Sequence, residues 1–222
     1  MLVSFYCVAL LVGIVSSGTY LAFGNNLKEY KRTTSLVLLI LITCLLSESI
    51  WKYSGSSDSF LLFNVLYVYL RPTLMLLLFS QLPYSCHLQK KVLPTLLAFL
   101  LLVVPISVFF QSPFTGIQSY AYLLGHGMVL FYSIIFFKDL LRQSRYKDVN
   151  LLSLPYFWMA SLVLFSFGES YIFFILTYYI PSFGSYGMGQ VFQWVQFFGA
   201  IMYLTLGLSF YAPLIFNRRY SY

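Results

Sequence analysis

Seven apolar runs, each close to the length a helix needs to cross a bilayer, fill most of this 222-residue chain. Crossing the hydrocarbon takes about 20 apolar residues as a helix. The runs lie at about Leu2–Phe23, Leu36–Tyr53, Phe60–Leu82, Val92–Phe110, Ser119–Leu141, Tyr156–Ile180 and Gly189–Phe216. In lipid every backbone N–H and C=O must find its partner inside the segment, so each run is predicted to be a helix. Charged residues are only 9% of the chain and hydrophobic ones 60%, too little polar surface to clothe a globule in water. A soluble domain carries about 25% charged residues. The fold class read from this is an all-α integral membrane protein, a seven-transmembrane-helix bundle with residues 1–222 as one transmembrane domain. The breaks, such as "SGSSDS", "QSPFTGIQ" and "PSFGSYGMG", are short and place neighbouring helices antiparallel. The first run, "MLVSFYCVALLVGIVSSGTYLAF", lacks the positive leader of a secretory signal and reads as a membrane helix.

Lysine and arginine positions set the orientation. Lys28, Lys31 and Arg32 follow span one, and Lys90 and Lys91 follow span three. Lys138, Arg142, Arg145 and Lys147 follow span five, and Arg218 and Arg219 follow span seven. The alternate loops hold none, with only Lys52 bordering one of them. The positive-inside rule then puts the N-terminus outside and the C-terminus in the cytoplasm, across a plasma (bacterial inner) membrane. The net charge of +7 is spent on orientation in the lipid bilayer, so nucleic acid is not an expected partner. Tyrosines in "TYYIPSFGSY" and "RRYSY" suit the interfaces.

One residue violates the pattern. "FNVLYVYLRPTLMLLLF", residues 63–79, places Arg71 near the middle of span three, followed at once by Pro72. An unpaired arginine at this depth costs about 2.5–3.5 kcal/mol on insertion scales, so a partner inside the bundle is expected. Glu48 has Lys52 one turn on and is assigned to it as a secondary ion pair. Glu169, mid-span in "FSFGESYIF", has no basic neighbour in its own helix and is assigned to Arg71. Helical spacing adds stripes: Asn64, Tyr67 and Arg71 in span three, Tyr122, His126 and Ser133 in span five, and Gln193, Gln196, Ala200, Tyr203 and Gly207 in span seven. Together they predict a polar pocket open to the outside, with Arg71 and Glu169 as its floor and Asn64, Tyr67, His126, Gln193 and Gln196 around it. The competing reading is that these polar groups only glue helices together. Pro72 removes a backbone donor and is predicted to kink span three, as a hinge or as a static bend.

Absent motifs narrow the chemistry. There is no HExxH, no Cys/His metal spacing and no GxSxG, so neither a metal site nor a cofactor is expected. Span seven holds no lysine for a retinal Schiff base, and the DRY and NPxxY motifs of G-protein-coupled receptors are missing. The small sugar transporters with a three-plus-one-plus-three repeat share this size and topology but have a Pro-Gln signature that does not occur here. In "LLSLPYFWMASLVLFSFGESYIFFILTYYI" the residues Pro155, Phe157, Trp158, Phe167 and Gly168 stand in a pattern that resembles multi-span membrane modules of Bacteroidota. Those modules stand alone or precede sensor histidine kinases. The resemblance covers about thirty residues. It implies a sensory or accessory unit whose output needs a cytoplasmic or membrane partner such as a histidine kinase. The expected function is therefore non-enzymatic transduction from an unidentified small-molecule ligand. A small-solute transporter is the alternative, and an intramembrane enzyme using Glu169 and His126 is the third reading.

Overall fold

A computed structural model describes residues 2–24, 27–53, 57–82, 86–112, 114, 116–142, 150–179 and 188–216. Among them all regular structure is helical. Span one is α1 (Leu2–Phe23) and span two is α2 (Leu27–Tyr53). Span three is composite: α3 (Ser57–Phe63), a π-helix (Asn64–Leu70) and α4 (Arg71–Gln81). Spans four, five and six are α5 (Cys86–Phe109), α6 (Ser119–Arg142) and α7 (Pro155–Tyr179). Span seven joins α8 (Met188–Leu208), a 3₁₀ turn (Ser209–Tyr211) and α9 (Ala212–Phe216). Seven stretches among the described residues are long and apolar enough to cross a membrane, as the hydropathy predicts. The second helix starts at Leu27 rather than near Leu36. Its hydrogen-bond ladder runs on past the apolar run, because backbone pairing does not stop where hydropathy does.

Spans one, two, three, five, six and seven pack each on the next, and seven closes back on one. Span four lies outside this ring against spans three and five, and many of its leucines are exposed. Spans one to three and five to seven thus follow one another in the same order, with span four as the connection between them.

Two close crossings hold the ring. A methyl group added to Gly207 would lie 2.5 Å from the Gly13 Cα, and one added to Gly13 would lie 2.8 Å from the Tyr203 carbonyl oxygen. Spans one and seven therefore meet backbone to backbone. A methyl group on Gly125 would lie 2.9 Å from the Pro72 ring and 3.2 Å from Phe99, so side chains of spans three and four seat directly on span five there. Small residues suit this purpose, since lipid supplies no hydrophobic drive between helices and contact must come from packing. The end of the bundle that carries the basic loops is filled by buried side chains, among them Phe79, Phe136, Leu140, Leu206 and Phe210. Tyr20 stacks on Phe210 at 5.2 Å there, and Tyr30 lies against Tyr156 at 5.5 Å.

Pro72 is accommodated by a change of helix type. Proline has no N–H, and inside an α-helix its ring collides with the carbonyl four residues back. Here the turn before it widens into a π-helix, and the Arg71 N–H reaches the Leu66 carbonyl, five residues back. Pro72 then falls in the first turn of α4, where a missing N–H leaves nothing unsatisfied. Pro72 thus stands at the junction where the π-helix gives way to α4.

Candidate functional site

Within the ring lies a cavity of about 480 Å³. Glu48, Ile117, Thr177 and Val195 line it near the end of the bundle away from the basic loops. Arg71, Ser166 and Tyr203 line it at mid-depth and form its floor. Arg71 is eleven residues from Phe60 and ten from Gln81, the ends of its apolar stretch (71 − 60 and 81 − 71). It is only 3% exposed.

The guanidinium sits among aromatic rings. Its Cζ is 4.6 Å from the Phe167 centroid, 4.7 Å from Tyr67 and 5.6 Å from Tyr203. Tyr203 is held from behind: the Cys44 thiol donates to its hydroxyl at 3.2 Å, and Tyr6 meets its ring edge-on at 5.8 Å. Tyr67 stacks on Tyr122 at 6.1 Å. Two of the guanidinium nitrogens, Nε and Nη1, are buried with no hydrogen-bond partner. Among the described residues no acceptor and no carboxylate pairs with Arg71. Its charge is spread over ring faces and its N–H edges are left for something else.

The Arg71–Glu169 pair assigned from the sequence does not form. Glu169 does not line the cavity, and its Oε2 is itself buried without a partner. Ser166, Ser170, Phe173 and Thr177 give the cavity its span-six wall. At about 100° per residue Glu169 stands roughly 60° off Ser166, on the side of Phe165. Phe165 faces Phe198 of span seven. The rotation of span six turns the carboxylate aside from the cavity.

Other assigned residues divide. Tyr67, Gln196 and Glu48 line the cavity with Arg71. The side chain of Lys52, and with it the Glu48–Lys52 pair, lies outside the described residues. Gln193 is exposed and is not among the residues that line the cavity. His126 is fully buried behind the cavity wall, stacked on Tyr122 at 3.7 Å and on Phe167 at 4.8 Å. Its Nδ1 lies 3.0 Å from the Tyr122 carbonyl oxygen, and a carbonyl can only accept, so Nδ1 carries the proton of that bond. It packs against the cage rings and does not line the cavity, and its Nε2 is buried with no hydrogen-bond partner among the described residues. Ser133 bonds back to the Val129 carbonyl at 2.9 Å within its own helix.

Asn64 is also a correction. Its amide nitrogen donates to the Gly116 carbonyl at 2.8 Å, and its carbonyl accepts from the Gln118 N–H at 3.2 Å. It pins the loop between spans four and five, and this loop delivers Ile117 to the cavity. The π-helix explains why the stripe failed. With five-residue hydrogen-bonded turns, positions 63, 67 and 71 share the cavity face rather than 64, 67 and 71, and Phe63 lines it.

Sequence reasoning missed the rest of that loop latch. Gln118 accepts from the Ser107 hydroxyl at 3.0 Å and donates to the Gln111 carbonyl at 3.0 Å. Gln111 donates to the Ser119 hydroxyl at 2.6 Å. The two glutamines bracket "SPFTGI" and were legible as polar residues flanking a break, though not as partners of each other. Ser166 and Ser170 were missed beside the more conspicuous Glu169, although their four-residue spacing marks one helix face. Among the described residues no cluster of three His, Cys, Asp or Glu could hold a metal ion. No protein-family model matches this chain, and no curated protein or solved structure matches it either.

Proposed function

We propose that this chain is an integral protein of the bacterial plasma membrane that binds a small ligand from the outside and passes the bound state to a cytoplasmic partner. The observation that carries the reading is Arg71: a buried guanidinium with no hydrogen-bond acceptor among the described residues, on the floor of a cavity of ligand size. Typical small-molecule sites enclose about 300–1,000 Å³ and hold a few polar groups in an apolar wall. Charges at this depth carry an insertion cost that packing alone does not repay. The route inward is span three, in which Arg71 ends the π-helix and begins α4. Single-turn π-bulges inside α-helices are frequent at functional sites. A ligand biases such an element only by preferring one of its two arrangements. The resemblance around Pro155–Gly168 supports a histidine kinase as the kind of partner that would receive the signal.

The orientation required is N-terminus outside and C-terminus in the cytoplasm. A reporter enzyme active only in the cytoplasm is expected to work when fused after Tyr222 and to fail when fused after Ser57. The transduction itself is tested by hydrogen exchange in nanodiscs. A ligand should change protection at residues 64–71 of the π-helix and at the cytoplasmic end of α4 together. Binding that leaves α4 unchanged removes the signalling step.

Transport is the second reading, and the ring order favours it. Two sets of three spans flank the cavity, joined by the glycine contacts between spans one and seven and between spans three and five, and span four stands outside as a connector. Internal repeats around a midplane site are a common plan of transporters. Flux of a ligand into proteoliposomes that is lost in Arg71→Gln would replace sensing by transport. The third reading, acid–base chemistry by His126 and Glu169, draws no support from a cavity that neither residue lines.

A further inference from the structure

We infer that the cavity takes a small organic monoanion, a carboxylate on a flat and mainly apolar body, with its head on Arg71. This rests on the ligand-binding reading above and gives it a chemical class. The sign comes from Arg71. Its ring contacts occupy the faces of the guanidinium, while buried Nε and Nη1 donors remain without acceptors. A carboxylate offers in-plane acceptors to such N–H edges and makes charge-assisted bonds with them. A cationic head would meet a like charge.

The charge number comes from the lining. Among the described residues Arg71 is the one basic side chain on it, and Glu48 lines the same cavity. A phosphate monoester would bring a second negative charge into a low-dielectric space with nothing opposite it. A halide would match the charge and leave about 480 Å³ unfilled. The shape comes from the walls, where Tyr6, Phe63, Tyr122 and Phe174 present rings, and Ser166 and Ser170 add hydroxyls along one side. Ring faces favour planar or extended apolar bodies.

Two sources deliver such an anion, water and the bilayer, and the probes separate them. Wild-type protein in phosphatidylcholine nanodiscs is titrated calorimetrically with 3-phenylpropionate and with its neutral isostere 3-phenylpropionamide. Hexadecanoate and hexadecanamide form the membrane-borne pair. At least one acid is expected to bind about tenfold or more tightly than its amide, as a charged hydrogen-bonded contact is worth. Arg71→Gln should erase most of that preference and Arg71→Lys should keep part of it. Which pair shows the preference assigns the source. Equal binding of acid and amide, both lost in a Thr177→Trp variant that fills the mouth, overturns the inference and leaves the ligand-binding reading standing. Failure of all four probes to bind overturns both.

Discussion

Arg71→Met should make the ligand-free protein more stable, the reverse of what a buried ion pair would give. A mid-span arginine costs about 2.5–3.5 kcal/mol on insertion scales. Cation–π contact returns about 0.5–1 kcal/mol at exposed sites and about 2 when desolvated. The Phe167 and Tyr67 rings, at 4.6 and 4.7 Å from Cζ, supply most of that. Methionine keeps the unbranched stem and removes the unpartnered donors, so little packing is lost. The net expectation is a gain of about 1–2 kcal/mol. For a chain of this size each kcal/mol moves the midpoint by about 2–4 °C, which puts the Tm about 2–8 °C higher. The assay is thermal unfolding in detergent with a thiol-reactive dye in a Cys7→Ser, Cys86→Ser background, which leaves Cys44 as the one thiol. Cys44, only 2% exposed, then reports loss of the core. The same variant should lose the preference for acid over amide, so that stability rises as function falls. A Tm several degrees lower would refute the reasoning, because the guanidinium would then be holding the fold together.

Further outcomes follow from the packing and the corrected pairing. In an Arg71→Gln, Glu169→Gln double-mutant cycle the effects on unfolding midpoint should add within about 0.5 kcal/mol, as for residues that share no contact; strong coupling would restore the discarded pair. Gly207→Ala sets a methyl group 2.5 Å from the Gly13 Cα and should destabilise by about 1–3 kcal/mol or prevent assembly, seen as lost monodispersity on size exclusion. Gly18→Ala, with nothing within 4 Å of the added carbon, should be neutral or slightly stabilising in the same measurement. Asn64→Leu strips partners from the Gly116 carbonyl and the Gln118 N–H and should cost about 1–3 kcal/mol. Limited proteolysis should then cut the loop near residue 116 faster than in the wild type.

The number of spans, their approximate limits and the presence of one anomalous charge were legible in the sequence, because bilayer thickness and backbone satisfaction act on each segment separately. Hydropathy along one run is enough to demand a helix whatever its neighbours do. Tertiary structure decided what Arg71 faces. That depends on how far each helix is rotated and on which helices adjoin, and neither is a property of a single segment. The π-helix at 64–70 shifted the phase of span three, so an α-helical stripe put Asn64 in the cavity and left Phe63 out. Rotation of span six turned Glu169 away and brought Ser166 and Ser170 inward. Span four's place outside the ring likewise came from packing, since its sequence is as apolar as that of its neighbours. Composition made this chain a set of lipid-soluble helices. Their mutual orientation turned an isolated charge into the floor of a cavity.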